Sequence, residues 1–157
     1  MSQTRKLPYF MLALALIGVA DASYDSYIIH TGQLLWCPPP IDGCNIVANS
    51  PYARIFGAPV GDFGVVYYVG MSALAALLAL APFSRQLRLS ALLYAAAGVG
   101  FSIYFMNIQF AYIHAFCIYC VISAVLTVFL FVSALWHFRA TRVEPGAAPP
   151  PYAQEGT

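Results

Sequence analysis

Apolar residues along this chain neither alternate with polar ones nor recur on one helical stripe. They gather in four long, nearly uncharged runs over 7–29, 63–81, 89–112 and 116–136. Each run approaches the roughly 20 residues that a helix needs to cross about 30 Å of hydrocarbon. Inside lipid every backbone N–H and C=O must be satisfied within the segment, and the strands of a membrane barrel would alternate apolar with polar positions. The pattern therefore predicts an all-α membrane protein, a four-transmembrane-helix bundle over residues 1–142. The remainder, 143–157, carries Pro145, Gly146 and Pro149 to Pro151 and is read as a disordered tail.

The connections between the runs differ in kind. The first, about 30–62, is long and rich in Pro, Gly and Asn, so function is expected to concentrate there. Within it Ser50 to Gly57 reads as a short surface helix, with Pro51 in its first turn and Gly57 as its stop. Such a helix would lie over the bundle as a lid. The second connection, 82–88, is short and basic. The third is a tight turn around 113–116, which puts Cys117 at the start of the last helix.

Composition agrees with the bilayer: 61% of residues are hydrophobic, 8% are charged, and the mean hydropathy is +0.75. A net charge of +1 gives no ground for a nucleic-acid partner. The seven basic residues are nevertheless placed informatively. Arg5, Lys6, Arg85, Arg88, Arg139 and Arg142 fall on one side of the four spans and only Arg54 on the other. The positive-inside rule then places both termini in the cytoplasm of a multi-pass plasma-membrane protein and all four cysteines on the extracytoplasmic face. The competing reading of the first run as a signal peptide, on Arg5, Lys6 and Ala20-Asp21-Ala22, is weaker because the apolar stretch continues to Ile29.

The cysteines form two close pairs of different character, in a compartment where disulfides persist. Cys117-Ile118-Tyr119-Cys120 is a C-x-x-C at a helix N-terminus, where free N–H groups and the helix dipole favour a thiolate. Cys37 and Cys44 flank a Pro38-Pro39-Pro40 stretch and an Asp42-Gly43 turn that can fold one back toward the other. Two pairs at two depths suggest a relay by thiol-disulfide exchange, in which a thiolate attacks a disulfide and a second thiolate resolves the product without a metal. The alternatives are static bridges bracing a non-enzymatic membrane subunit, and a four-cysteine zinc site. No metal is expected.

These residues resemble the vitamin K epoxide reductases and their prokaryotic homologues. The likeness rests on Cys37 to Cys44, on Asn49-Ser50-Pro51-Tyr52-Ala53, on Gly57-Ala58-Pro59-Val60 leading to Phe63-Gly64, and on Ile108-Gln109 to Cys117-Ile118-Tyr119-Cys120. The bacterial DsbB-type quinone oxidases carry their C-x-x-C in the first outer loop, the reverse order. The resemblance implies that Cys37 exchanges with an outer partner, that Cys44 passes electrons to Cys117, and that Cys120 faces a quinone of the ubiquinone, menaquinone or vitamin K type. Ser50 matches a hydroxyl position near the family's active site.

Two positions depart from the vertebrate members. Ala124 stands where they have a Tyr four residues after the C-x-x-C, and Val60, Gly61 and Asp62 supply no Asn before the second span. The resemblance therefore implies oxidation of a separate thioredoxin-like or DsbA-like protein, with quinone as acceptor, in preference to vitamin K epoxide reduction.

The remaining candidates are weighed against blander roles. Phe63, Tyr67 and Tyr68, with Tyr104, Phe105, Phe110 and Tyr112, are read as quinone-cavity residues or as an aromatic belt at the interface. Asn107 would bond a quinone carbonyl or a neighbouring helix. Asp21 and Asp25, four apart on one helix face, would pair with Arg54 or a Tyr hydroxyl, or serve quinone reduction with protons. His114 would tune Cys117 or be an exposed turn residue.

Overall fold

The structure is a computed structural model that describes residues 2–38 and 43–140. The expected tail over 143–157, Arg142 and the Asp42 turn lie outside the described residues. Among the described residues four helices are long and apolar enough to cross a membrane: α1 (Ser2–Thr31), α3 (Val60–Leu80), α4 (Arg85–Ile108) and α5 (Ile118–Ala140). The short α2 (Cys44–Ala48) lies in the connection between α1 and α3. The four-helix membrane bundle expected from the sequence is what forms.

Helix α1 packs on α3 and α5, and α4 packs on the same two, so the four long helices close a ring. Lipid tails are as apolar as leucine, so such helices associate through close packing of small residues. The core follows that rule: Met11, Ala15 and Ala22 of α1 meet Tyr68, Met71 and Ala75 of α3, Ala91 and Ala95 of α4, and Leu130 and Ala134 of α5. Gly98 lets α4 approach α3, because a Cβ there would run into the ring of Tyr67. Tyr68 then ties α3 to α5, its hydroxyl donating to the Ser123 carbonyl at 2.8 Å and lying 3.1 Å from Thr127 Oγ1. Large apolar side chains such as Val66, Leu80 and Leu93 stay on the outside.

The helix ends depart from the sequence reading in a consistent sense. Helix α4 begins at Arg85 and α5 continues to Ala140, because charged and polar residues extend a helix that an apolar run alone defines too short. The helix expected over Ser50 to Gly57 does not form. A 3-10 turn, Pro51–Ala53, is followed by β1 (Arg54–Ile55) and β2 (Ala58–Pro59), an antiparallel pair with Ile55 opposite Ala58. Phe56 and Gly57 make the two-residue turn with φ of 52° and 85°. Left-handed values at both turn positions match the twist of a hairpin and end any helix. The surface helix of this loop is α2, one step earlier in the chain.

After Ile108 the chain makes a π-helical turn, Gln109–Ile113, and leaves it at His114, whose φ is 53°. Turns of this kind are rare and gather at functional sites.

Candidate functional site

The four cysteines meet at one end of the bundle. Cys44 and Cys117 are buried in a cluster with Ile28, Leu35, Val47 and Phe105, and Cys37 and Cys120 pack against it. Cys37 and Cys44 are bridged, with Cα atoms 6.2 Å apart, while Cys117 and Cys120 carry free thiols. Among the described residues no group of three or more His, Cys, Asp or Glu could hold a metal ion.

Local sequence explains how the bridged loop is fixed. Asn45, directly after Cys44, clamps the segment before Cys37: its Oδ1 accepts the Leu35 N–H at 2.8 Å and its Nδ2 donates to the Leu35 carbonyl at 3.0 Å. Gly43 sits on the segment that carries Cys117, where a Cβ would fall 2.6 Å from the Phe116 carbonyl oxygen and 2.8 Å from its nitrogen. Only glycine permits that approach. Cys44 is thereby set beside Cys117, and both border a small gap together with Cys120 and Asp25.

Cys117 lies just before α5, in the N-terminal position that its spacing predicts. Its N–H donates to Gln109 Oε1 at 3.0 Å. The hydrogen bond from Cys120 holds the Cys117 thiol below its ordinary value of 9.0, against burial, which acts the other way. A thiol so placed is the more readily ionised and the more nucleophilic at neutral pH.

A larger cavity of about 290 Å³ opens beside Cys120, between α1, α3, α4 and α5. Phe63, Tyr67, Phe101, Phe105 and Tyr119 supply aromatic wall, and Asp21 and Asp25 supply carboxylates. The volume lies near the lower end of the roughly 300–1,000 Å³ typical of small-molecule sites, the scale of a ring head group. Tyr67 stacks on Tyr94, with ring centroids 5.1 Å apart, and its buried hydroxyl has no hydrogen-bond partner among the described residues. A flat aromatic slot with one unpaired donor fits a quinone ring.

The structure separates the expected site residues. Phe63, Tyr67 and Tyr68 line the cavity, as does Phe105. Asn107 does not; it is exposed and donates to its own helix at the Ile103 carbonyl, 2.8 Å away. Helix phase is the reason: residues 98, 101, 102 and 105 of α4 face the cavity, and 107 falls off that stripe. Tyr104, Phe110 and Tyr112 are likewise exposed. Ala124 follows Ser123, which lines the cavity, and is itself turned out of it. Ser50 borders neither space and donates instead to the Val47 carbonyl at 2.8 Å.

Asp21 and Asp25 face the cavity and not Arg54, which donates to the Gly57 carbonyl at 3.4 Å. His114 is exposed and forms the turn. The sequence reading assigns no role to Asn45 or Gln109, although a second amide two residues after Asn107 in an apolar run and an Asn adjoining a cysteine are visible signals.

Residues 9–135 match the vitamin K epoxide reductase family. The chain belongs to that family. It is also 32% identical, over 117 residues, to the thiol-disulfide oxidoreductase LTO1 of Arabidopsis thaliana, a match that takes in 71% of this chain and 31% of the relative. The chain therefore spans about a third of that protein's length. The matched residues hold both cysteine pairs and all of the cavity wall, so the site is built from the family's shared region.

Proposed function

We propose that this protein is a thiol-disulfide oxidoreductase that oxidises a separate thioredoxin-like or DsbA-like protein and passes the electrons to a membrane quinone. The observation that carries the reading is the position of Cys120, which borders both the gap holding Cys44 and Cys117 and the larger aromatic cavity. The name of the Arabidopsis relative supports thiol chemistry. The basic residues at the opposite end of the bundle support an extracytoplasmic site by the positive-inside rule.

In this reading the Cys37–Cys44 bridge accepts electrons from the partner's dithiol through a mixed disulfide. Cys44, held beside Cys117 by Gly43, then exchanges with the C-x-x-C. A quinone supplies the final acceptor, taking up two electrons and two protons. The chain's residues supply the rest: Cys117 and Cys120 give up two S–H protons as their bridge forms, and Asp25, which borders both spaces, receives a proton at its carboxylate and shares it with Asp21 one helical turn away. Tyr67 orients the ring through its unpaired hydroxyl. Ala124 lacks the phenol that the vertebrate members carry at the matching position, which favours disulfide formation over epoxide reduction.

The test is purified protein with a reduced DsbA-like substrate and a short-chain ubiquinone, followed by quinone absorbance. Wild type turns over and Cys120→Ala does not. Continued turnover in Cys120→Ala would overturn the assignment.

A further inference from the structure

Gln109 is fully buried, and the relay described above gives it no part. Its amide has two ends with different surroundings. Oε1 accepts the Cys117 N–H at 3.0 Å. Nε2 has no hydrogen-bond partner among the described residues, and the ionisable group its amide faces is the Cys120 thiol.

An unpaired buried N–H is destabilising, and a Leu or Met would fill the same space without leaving a donor unmet. Packing alone does not account for an amide here. A neutral thiol is a poor acceptor, whereas a thiolate turns the same contact into a charge-assisted hydrogen bond. The backbone also sets this residue apart: Gln109 opens the π-helical turn that ends at Ile113 and carries the chain round to Cys117.

We propose that Gln109 is a positioning residue for disulfide exchange, its Oε1 fixing Cys117 as the sulfur to be attacked and its Nε2 receiving Cys120 as the departing thiolate. The proposal rests on the relay reading given above. In the state where Cys117 and Cys120 are bridged and Cys37 and Cys44 are reduced, the Cys44 thiolate attacks the Cys117 sulfur. The Cys44–Cys117 bond forms, the Cys117–Cys120 bond breaks, and the electron pair leaves on the Cys120 sulfur. One thiolate enters the step and one emerges, so no outside oxidant is required.

A better-stabilised leaving thiolate departs faster. Attack at Cys120 would instead put the charge on Cys117, where main-chain N–H groups of Tyr119 and Cys120 receive it, and leave Nε2 without an acceptor; the choice of sulfur is made by reach, because Gly43 sets Cys44 beside Cys117. The other groups facing these sulfurs do not replace the amide: Asp25 on α1 presents a carboxylate, which repels a thiolate, and Tyr119 on α5 donates its hydroxyl elsewhere, to the Trp36 carbonyl. Among the described residues Gln109, which opens the π-helical turn after α4, is the neutral side-chain donor that faces Cys120.

The experiment isolates Cys120 in a Cys117→Ala background with the Cys37–Cys44 bridge intact, and follows alkylation by N-ethylmaleimide from neutral to alkaline pH. Adding Gln109→Leu moves the half-maximal rate to higher pH by about one unit, an approximately tenfold slower reaction at neutral pH. Gln109→Glu, which has no amide N–H, moves it the same way. An unchanged profile in either variant overturns the proposal.

Should these variants not fold, the Gln109 side-chain amide proton is followed by NMR in the Cys117→Ala protein; it moves downfield as Cys120 ionises, and an amide that ignores the titration overturns the proposal equally. Neither assay contains quinone or partner. A shifted profile in a protein that shows no quinone turnover would sink the proposed function and leave the role of Gln109 standing, and a flat profile with normal turnover would do the reverse.

Discussion

The hydroxyl of Tyr119 donates a 2.9 Å hydrogen bond to the carbonyl of Trp36. Tyr119 stands between the two cysteines of the C-x-x-C, and Trp36 is the residue before Cys37. One bond therefore holds the loop pair in register with the helix pair, across a separation of 83 residues.

Replacing that phenol tests whether the register matters. Tyr119→Phe keeps the ring contact with Tyr24, whose centroid is 5.3 Å away, and removes the hydroxyl that reaches Trp36. The expected cost is about 0.5–1.5 kcal/mol in holding the loop down. Electron passage between the two pairs, read by quenched-flow trapping of the Cys44–Cys117 mixed disulfide, should slow several-fold while thermal stability barely changes. An unaltered rate would show that the loop is held by other contacts.

The Asn45 clamp makes a second prediction. Asn45→Ala deletes both bonds to Leu35 and leaves a main-chain N–H and C=O to find water, at a cost of about 1–3 kcal/mol. With the Cys37–Cys44 bridge oxidised the loop stays closed. Once the bridge is reduced, the variant loop should open, and limited proteolysis near Trp36 should become faster in reduced Asn45→Ala than in reduced wild type. Equal cleavage would assign closure to the bridge and to Gly43.

Cys117 gives the pH dependence. Its thiol is held below the ordinary 9.0 chiefly by the Cys120 hydrogen bond, so the thiolate fraction at neutral pH is larger than for a free cysteine. Cys120→Ala removes the largest of the influences that hold the thiol down and leaves burial and the Asp25 charge opposed only by main-chain N–H groups at Tyr119 and residue 120, which moves the ionisation of Cys117 upward. Alkylation of Cys117 by iodoacetamide, measured with the Cys37–Cys44 bridge intact, should then slow several-fold at neutral pH and recover at alkaline pH. A rate that is unchanged at neutral pH would mean that the helix N-terminus alone sets the thiol.

Gly98 offers a test confined to the cavity. A Cβ at 98 displaces the Tyr67 ring, which is stacked on the Tyr94 ring. Gly98→Ala should raise the quinone KM by about three- to tenfold, equivalent to roughly 1 kcal/mol of lost binding. Exchange between the cysteine pairs should be untouched. Equal loss in both assays would indicate a general disturbance of the bundle.

Much of this architecture could be read from the chain because lipid enforces it. Four apolar runs must be helices, and a C-x-x-C that follows a short turn must sit at a helix start. Side-chain direction was less accessible. Tyr67 and Phe63 fall on the cavity stripe, but Asn107 and Tyr104 differ from them only by helix phase, and an apolar run gives weak information on phase when both faces are apolar. Ser50 to Gly57 failed for a local reason: Pro51 and Gly57 suit a helix, yet Phe56 takes a left-handed conformation in the tight turn that pairs Ile55 with Ala58. The roles of Asn45 and Gln109 depend on contacts with Leu35 and Cys117, which only the folded chain brings near.

Cys120 forms part of the wall of both spaces. In the proposed reaction it works as a bulkhead fitting: protein thiols dock on one side, a greasy ring lodges on the other, and only charge passes through. The two compartments can then be altered separately. Reshaping the wall built by Tyr67, Gly98 and Phe101 would retune the enzyme to a different acceptor, while the cysteine pairs and their choice of protein client stayed as they are.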